Sequence, residues 1–266
     1  MNIYLQELKM KLRSIITWSI SVAGLLFLFF SIFSTIVDEM EMLNAVMANY
    51  PPELLAAFGW DNMDLSTVLG FYAFTFSFIQ IMISLQAANY GYSLVSIEER
   101  ELTADFLLAK PVGRAKILTN KLLAALTGLL ITDLVLWSTS FFAVRTYAGD
   151  RAYNSEILAK VLITAFFLQL FFLGGGLVIS LLLKKVPSVI AISLGSVFGM
   201  YILAAFGSSF NEDKFDYLTP FKHFEATKIV NTGEFDQPKM VISILVIIIS
   251  MIASYVLYQR RNIPTV

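Results

Sequence analysis

Two features of this 266-residue chain could do chemistry: a lone carboxyl in a long apolar stretch, and a dense run of charge between two such stretches. The carboxyl is Asp133, in LLITDLVLW. Near the middle of a membrane span a charge costs roughly 2.5–3.5 kcal/mol on insertion scales. Two readings fit it: a group that lines a polar path or pairs across a subunit interface, or a carboxyl kept protonated or bonded to hydroxyls such as Thr132 or Ser138. Gln80, Gln86 and Asn89 are further polar groups in an apolar run. Ser77, Gln80 and Ser84 fall at i, i+3 and i+7, so they share a helix face predicted to meet another helix or a dimer seam rather than lipid.

The charged run is residues 98–121, EERELTADFLLAKPVGRAKILTNK, with nine ionisable side chains around Phe106-Leu107-Leu108. Thr103 is placed to cap a short helix there, and Asp105 in its first turn suits the positive end of the dipole. Pro111 would stop that helix and Gly113 would let the chain reverse. An apolar centre with a charged rim is the form of a docking surface for another protein. The competing reading is a solvated loop whose leucines rest on lipid headgroups.

Several chemistries are excluded. There is no cysteine, so disulfides and thiolate metal sites are absent. The single histidine, His223, cannot form a histidine cluster, and scattered carboxylates show no metal-binding spacing. An intramembrane enzyme would need a nucleophile–base pair or metal ligands within the spans. No glycine is followed by lysine, so a P-loop cannot occur and the chain cannot be its own P-loop ATPase. A net charge of −1 offers no basic field for nucleic acid.

The elements that must position these groups are apolar helices. The chain is 57% hydrophobic and 15% charged, whereas soluble domains run nearer half and a quarter. A bilayer core of about 30 Å needs roughly 20 apolar residues in helix. Six runs meet or approach that length: 15–37, 68–88, 122–144, 161–183, 186–206 and 240–258. The expected fold class is therefore an all-α integral membrane protein of six transmembrane helices, a single transmembrane domain over 1–266. Lys and Arg set its orientation. With both termini cytoplasmic, twelve basic residues lie inside (Lys9, Lys11, Arg13, Arg100, Lys110, Arg114, Lys116, Lys121, Lys184, Lys185, Arg260, Arg261) and seven outside. The prediction is N-in and C-in. Ile3, Leu5, Leu8 and Leu12 against Lys9, Lys11 and Arg13 read as an N-terminal amphipathic helix in the inner interface, or else as a plain basic flank. Residues 38–66 form an acidic outer loop with a turn at Pro51-Pro52 and a short helix near 53–58. In 207–239, Pro220 starts a short outer helix and Gly233 ends a second turn before the last span. Gly174-Gly175-Gly176 and the G-x-x-x-G of Gly195 and Gly199 read as helix packing, the triplet also as a bend.

Glu98-Glu99-Arg100, Thr103, Leu107-Leu108, Lys110-Pro111, Arg114 and Lys121 together resemble permease subunits of the ABC-2 type of ATP-binding-cassette transporter. The ending YQRRNI and the segment YLTPFKHF resemble that family's last residues and last outer loop, with Asn262 where the family often has Asp. The resemblance implies that the loop after the second span is a coupling helix seated on a separate ATPase subunit. Its transmission surface would be Glu98, Glu99, Arg100, Thr103, Phe106, Leu107, Leu108, Pro111 and Arg114. It also implies a cell-membrane exporter, a second permease subunit, and ATP with Mg bound on the partner, with no cofactor in this chain. The intramembrane polar candidates are Asp133, Gln80 and Gln86. The alternative is a stand-alone ion-coupled secondary transporter, which would ordinarily keep several midplane ionisable groups or broken helices.

Overall fold

The structure, a computed structural model, describes residues 3–57, 63–100, 112–210 and 213–261. These residues form twelve helices and no strand: α1 (Ile3–Ser31), α2 (Phe33–Asp38), α3 (Met40–Met47), α4 (Pro52–Ala57), α5 (Val68–Arg100), α6 (Arg114–Tyr147), α7 (Ser155–Leu182), α8 (Val189–Phe210), α9 (Asp213–Asp216), α10 (Pro220–His223), α11 (Ala226–Thr232) and α12 (Gln237–Arg260). Six segments are long and apolar enough to cross a membrane: α1 with α2, α5, α6, α7, α8 and α12. Each of the six apolar runs falls on one of them.

Helix ends follow local chemistry. The fifth run was expected from residue 186, yet α8 begins at Val189, behind Pro187 and a Ser188 hydroxyl that accepts from the Ala191 N–H at 3.3 Å. Asn154 caps α7 by accepting from the Glu156 and Ile157 amides. Pro220 occupies the first turn of α10, as expected. Gly233 ends α11 at φ 71°, and its N–H returns to the Ile229 carbonyl at 2.8 Å. Gly113 differs from expectation. It is the extended N-cap of α6 (φ −65°, ψ 147°), a conformation open to any residue, so it makes no left-handed reversal. The N-terminal residues differ too. Residues 3–13 are the first turns of a continuous 29-residue α1 rather than a separate interfacial helix, because no Gly or Pro interrupts the chain before Gly24. Nor is 38–66 mainly loop: α2 and α3 carry helix to Met47, and Pro52 opens α4.

The bundle is organised around α5, which packs along α7, while α1 packs along α6 and α12 along α7. Glycines set the closest approaches. A Cβ on Gly91 would collide with the Leu173 carbonyl, and one on Gly174 with the Ser250 hydroxyl. A Cβ on Gly176 would lie 3.3 Å from the Ala88 carbonyl. Gly174 and Gly176 thus pack α7 between α12 and α5, Gly175 faces open space, and α7 runs through the triplet unbroken. Gly195 and Gly199 on α8 face open space. Phe30, Phe33, Phe71 and Tyr72 close the far end of α1 and α5 with ring centroids 5.0–6.1 Å apart. Contacts from Glu7 to Lys121, from Arg114 to α12 and from Arg261 to α7 bring both chain ends to one face of the bundle.

Candidate functional site

Three groups of polar residues emerge: the face where α1 begins and α12 ends, the middle of the bundle, and the connector 213–236.

At the terminal face, α5 ends at Arg100 and α6 begins at Arg114. Glu98, Glu99 and Arg100 lie in the last turn of α5. Their side chains, and all of Thr103, Phe106, Leu107, Leu108 and Pro111, lie outside the described residues. Arg114 is described, and its guanidinium points into the protein. It donates to the carbonyls of Arg261 at 2.6 Å, Gln259 at 3.3 Å and Tyr258 at 3.4 Å, all at the end of α12. Close by, Arg261 donates to the carbonyls of Ser180 (3.2 Å), Leu181 (2.5 Å) and Leu183 (3.2 Å), at the end of α7. The last carbonyls of a helix have no partner of their own, and arginine suits them in charge and in number of donors. Two turns into α6, Lys121 is fully buried and donates to the Glu7 carboxylate at 2.7 Å. This pair ties α1 to α6.

In the middle of the bundle, Gln86 donates to the Thr132 hydroxyl at 2.9 Å, and Ser19 reaches the same hydroxyl at 3.5 Å. Tyr90 bonds Ser14 at 3.3 Å, and the Lys11 ammonium lies 5.0 Å from its ring. The expected Ser77–Gln80–Ser84 face does meet other elements: Gln80 and Ser84 are buried. Gln80, however, does not join the Gln86 group. It donates at 2.8 Å to the Phe224 carbonyl and so holds the connector against α5. Asp133 is buried, and neither of its oxygens is in hydrogen-bond geometry with a partner. Of the two hydroxyls expected beside it, Thr132 bonds the Gly128 carbonyl and Ser138 the Leu134 carbonyl. The side chain that approaches Asp133 is Gln169 of α7, itself fully buried with its amide unpaired.

The connector is folded into the bundle rather than draped over it. Phe221 packs on Phe172 and Tyr201, and Phe224 stacks on Phe167. Thr219 donates to the Met200 carbonyl at 2.9 Å, and His223 Nδ1 meets the Ser243 hydroxyl at 2.6 Å. Burial, aided by the nearby Lys239 charge, pulls the His223 pKa below its ordinary value. At the outer edge of the connector Lys239 pairs with Asp216 and Lys228 with Asp236, each at 2.6 Å. Burial tends to raise the Asp236 carboxyl, but its bonds to the Lys228 ammonium and the Lys239 amide outweigh that and hold it below the usual range. Among the described residues, no group of three or more His, Asp or Glu is placed to hold a metal ion.

Among the described residues, the structure does not bring Asp133, Gln80 and Arg114 into one site: Gln80 bonds the connector and Arg114 the end of α12. Sequence reasoning missed the Glu7–Lys121 pair, the Gln169 neighbour and the Arg261 cap. The available signals were slight: Glu7 is the one acid in the basic N-terminal stretch, and Arg261 belongs to YQRRNI. A family model described as ABC-2 family transporter protein matches residues 1–263. No curated protein matches the chain.

Proposed function

Since the chain belongs to the ABC-2 family of transporter proteins, as a multi-pass permease subunit in the cell membrane that is not itself catalytic, we propose that it exports its substrate with energy from a separate ATPase subunit docked on the segment between α5 and α6. Both termini and that segment then face the cytoplasm, in keeping with the excess of Lys and Arg on that side. ATP and Mg belong to the partner, and two permeases share the path.

The observation that carries this reading is the length of the two helices beside the segment. α5 has 33 residues and α6 has 34, and no helix among the described residues is longer. At about 1.5 Å per residue each spans roughly 50 Å, against a hydrocarbon core of about 30 Å. Helices of that length exceed the hydrocarbon core even when tilted, which supports a soluble partner at the segment that joins them. A stand-alone carrier gives no reason for such an extension.

The test is co-purification from native membranes, with the recovered chains identified by mass spectrometry. An ATP-binding-cassette ATPase should accompany the wild-type permease. Leu107→Asp with Leu108→Asp should lower its recovery about tenfold or more by placing charge in the apolar centre. Undiminished recovery with the double variant would rule out docking through this segment.

A further inference from the structure

We infer that Arg114 and Arg261 are positioning residues that act in series, joining the start of α6 to the ends of α12 and α7 so that the three helix ends move together. This rests on the proposed docking at the segment between α5 and α6, because that is where the push would enter.

The covalent order makes the series. Arg114 is the first residue of α6 and lies just past that segment. Its guanidinium takes three carbonyls of residues 258–261, the shortest being that of Arg261 at 2.6 Å. Arg261 is the C-cap residue of α12, joined covalently to its last turn. Its side chain then reaches 80 residues back to Ser180, Leu181 and Leu183, where α7 ends and the short turn into α8 begins. One residue thus receives a bond through its carbonyl and passes one on through its guanidinium.

The chemistry suits a stiff connection. A guanidinium carries five donors on a planar fork; Arg261 divides its three carbonyls between both terminal nitrogens, whereas Arg114 reaches its three through one terminal nitrogen, with the Arg261 carbonyl the close partner. A second tie, between the Thr119 and Tyr255 hydroxyls at 2.8 Å, joins α6 to α12 further along. The end of α7 holds the start of α8 through six residues only, so displacement there reaches a helix that is largely exposed in the single chain.

The absence of cysteine allows clean labelling. Lys116→Cys, Lys184→Cys and Arg260→Cys are exposed sites near the three helix ends. Spin labels in the pairs 116–260 and 184–260 would be compared in the full chain with its ATPase in nanodiscs, with and without vanadate-trapped nucleotide. In the otherwise unaltered protein both pairs should give one narrow distance that trapping does not change. Arg261→Ala should broaden the 184–260 distribution and leave 116–260 intact; Arg114→Ala should broaden 116–260. Arg261→Lys keeps the charge but cannot span three carbonyls, so it should fold normally and still broaden 184–260. It serves if the alanine variant fails to fold. In Arg261→Lys, nucleotide-stimulated ATP hydrolysis should lose its dependence on the permease, while ATPase recovery stays within about twofold of wild type, because the docking surface is untouched. A 184–260 distance that remains narrow in both Arg261 variants would overturn the inference. Loss of ATPase recovery from the unmutated chain would instead overturn the docking reading, while the nucleotide-free distances still test the connection.

Discussion

α5 and α8 are both apolar helices long enough to span a membrane, yet the bundle treats them oppositely. About two thirds of the apolar window of α5 is buried (67%), against 17% for α8. The more buried helix is the less apolar of the two. It carries Gln80, Ser84, Gln86, Tyr90 and Gly91, whereas α8 exposes Ile190, Leu194, Phe198, Ile202 and Phe206. In water the ranking would be reversed. In lipid an apolar face gains little by meeting another helix, so polar groups that need partners and glycines that permit close approach select the centre. α8 is thus left at the edge of the single chain, with an apolar exposed face.

That contrast can be broken in graded steps. The largest effect is expected at Gly91. Gly91→Val places carbon against the Leu173 backbone, which cannot swing aside as a side chain can. Destabilisation above about 3 kcal/mol is expected, seen as loss of monodisperse protein on size exclusion after extraction. A well-folded Gly91→Val protein would mean that α5 and α7 are not in close contact.

Next comes the Glu7–Lys121 pair. Lys121→Met alone leaves a buried carboxylate without its ammonium and should cost about 3–5 kcal/mol, whereas Lys121→Met with Glu7→Leu should recover most of it. Thermal melts of the two variants beside wild type decide this, and equal losses would show that the pair is not a unit.

A smaller effect belongs to the connector. The His223 pKa is lowered in the folded protein, so the folded state takes up its proton less readily than the unfolded chain. Its contribution is therefore complete above the ordinary value of 6.5 and is lost as pH falls below it. Asp236, also lowered, adds a second loss that begins only as pH falls below its ordinary 3.8. Melting temperature plotted against pH should fall first in the histidine window, and His223→Gln should flatten that first step alone. The smallest effect is reserved for α8: Gly195→Ala meets open space within a helix, so it should cost the single chain nothing and raise its stability by about 1 kcal/mol at most. A large loss in the same melt would show that α8 is packed within the chain after all.

Much of this architecture was legible in advance, because membrane insertion is decided by local composition. Each run near 20 apolar residues must be helical to pair its own amides, and Pro220 and Gly233 act through their own backbone restrictions. Continuity of helix through residues 3–13 was harder to read, since polar side chains beside apolar ones suit both an interfacial helix and the start of a span. The ABC-2 resemblance was carried by residues 98–121, a contiguous stretch. The polar partnerships were not legible. Gln80 could have faced any neighbour, and nothing along the chain pointed from Asp133 to Gln169 or from Arg261 to the end of α7.

The amino-acid sequence alone determined that this is a six-span α-helical membrane protein with a charged segment after its second apolar run, because span length and charge placement are properties of contiguous residues. Only the tertiary structure decided which spans form the centre, that Lys121 answers Glu7, and that Arg114 is occupied with α12. Those outcomes depend on which helix faces come together across the bundle, at separations of 114 residues for the first and up to 147 for the second. Lipid is indifferent among apolar faces, so hydrophobicity along the chain carries no record of that choice.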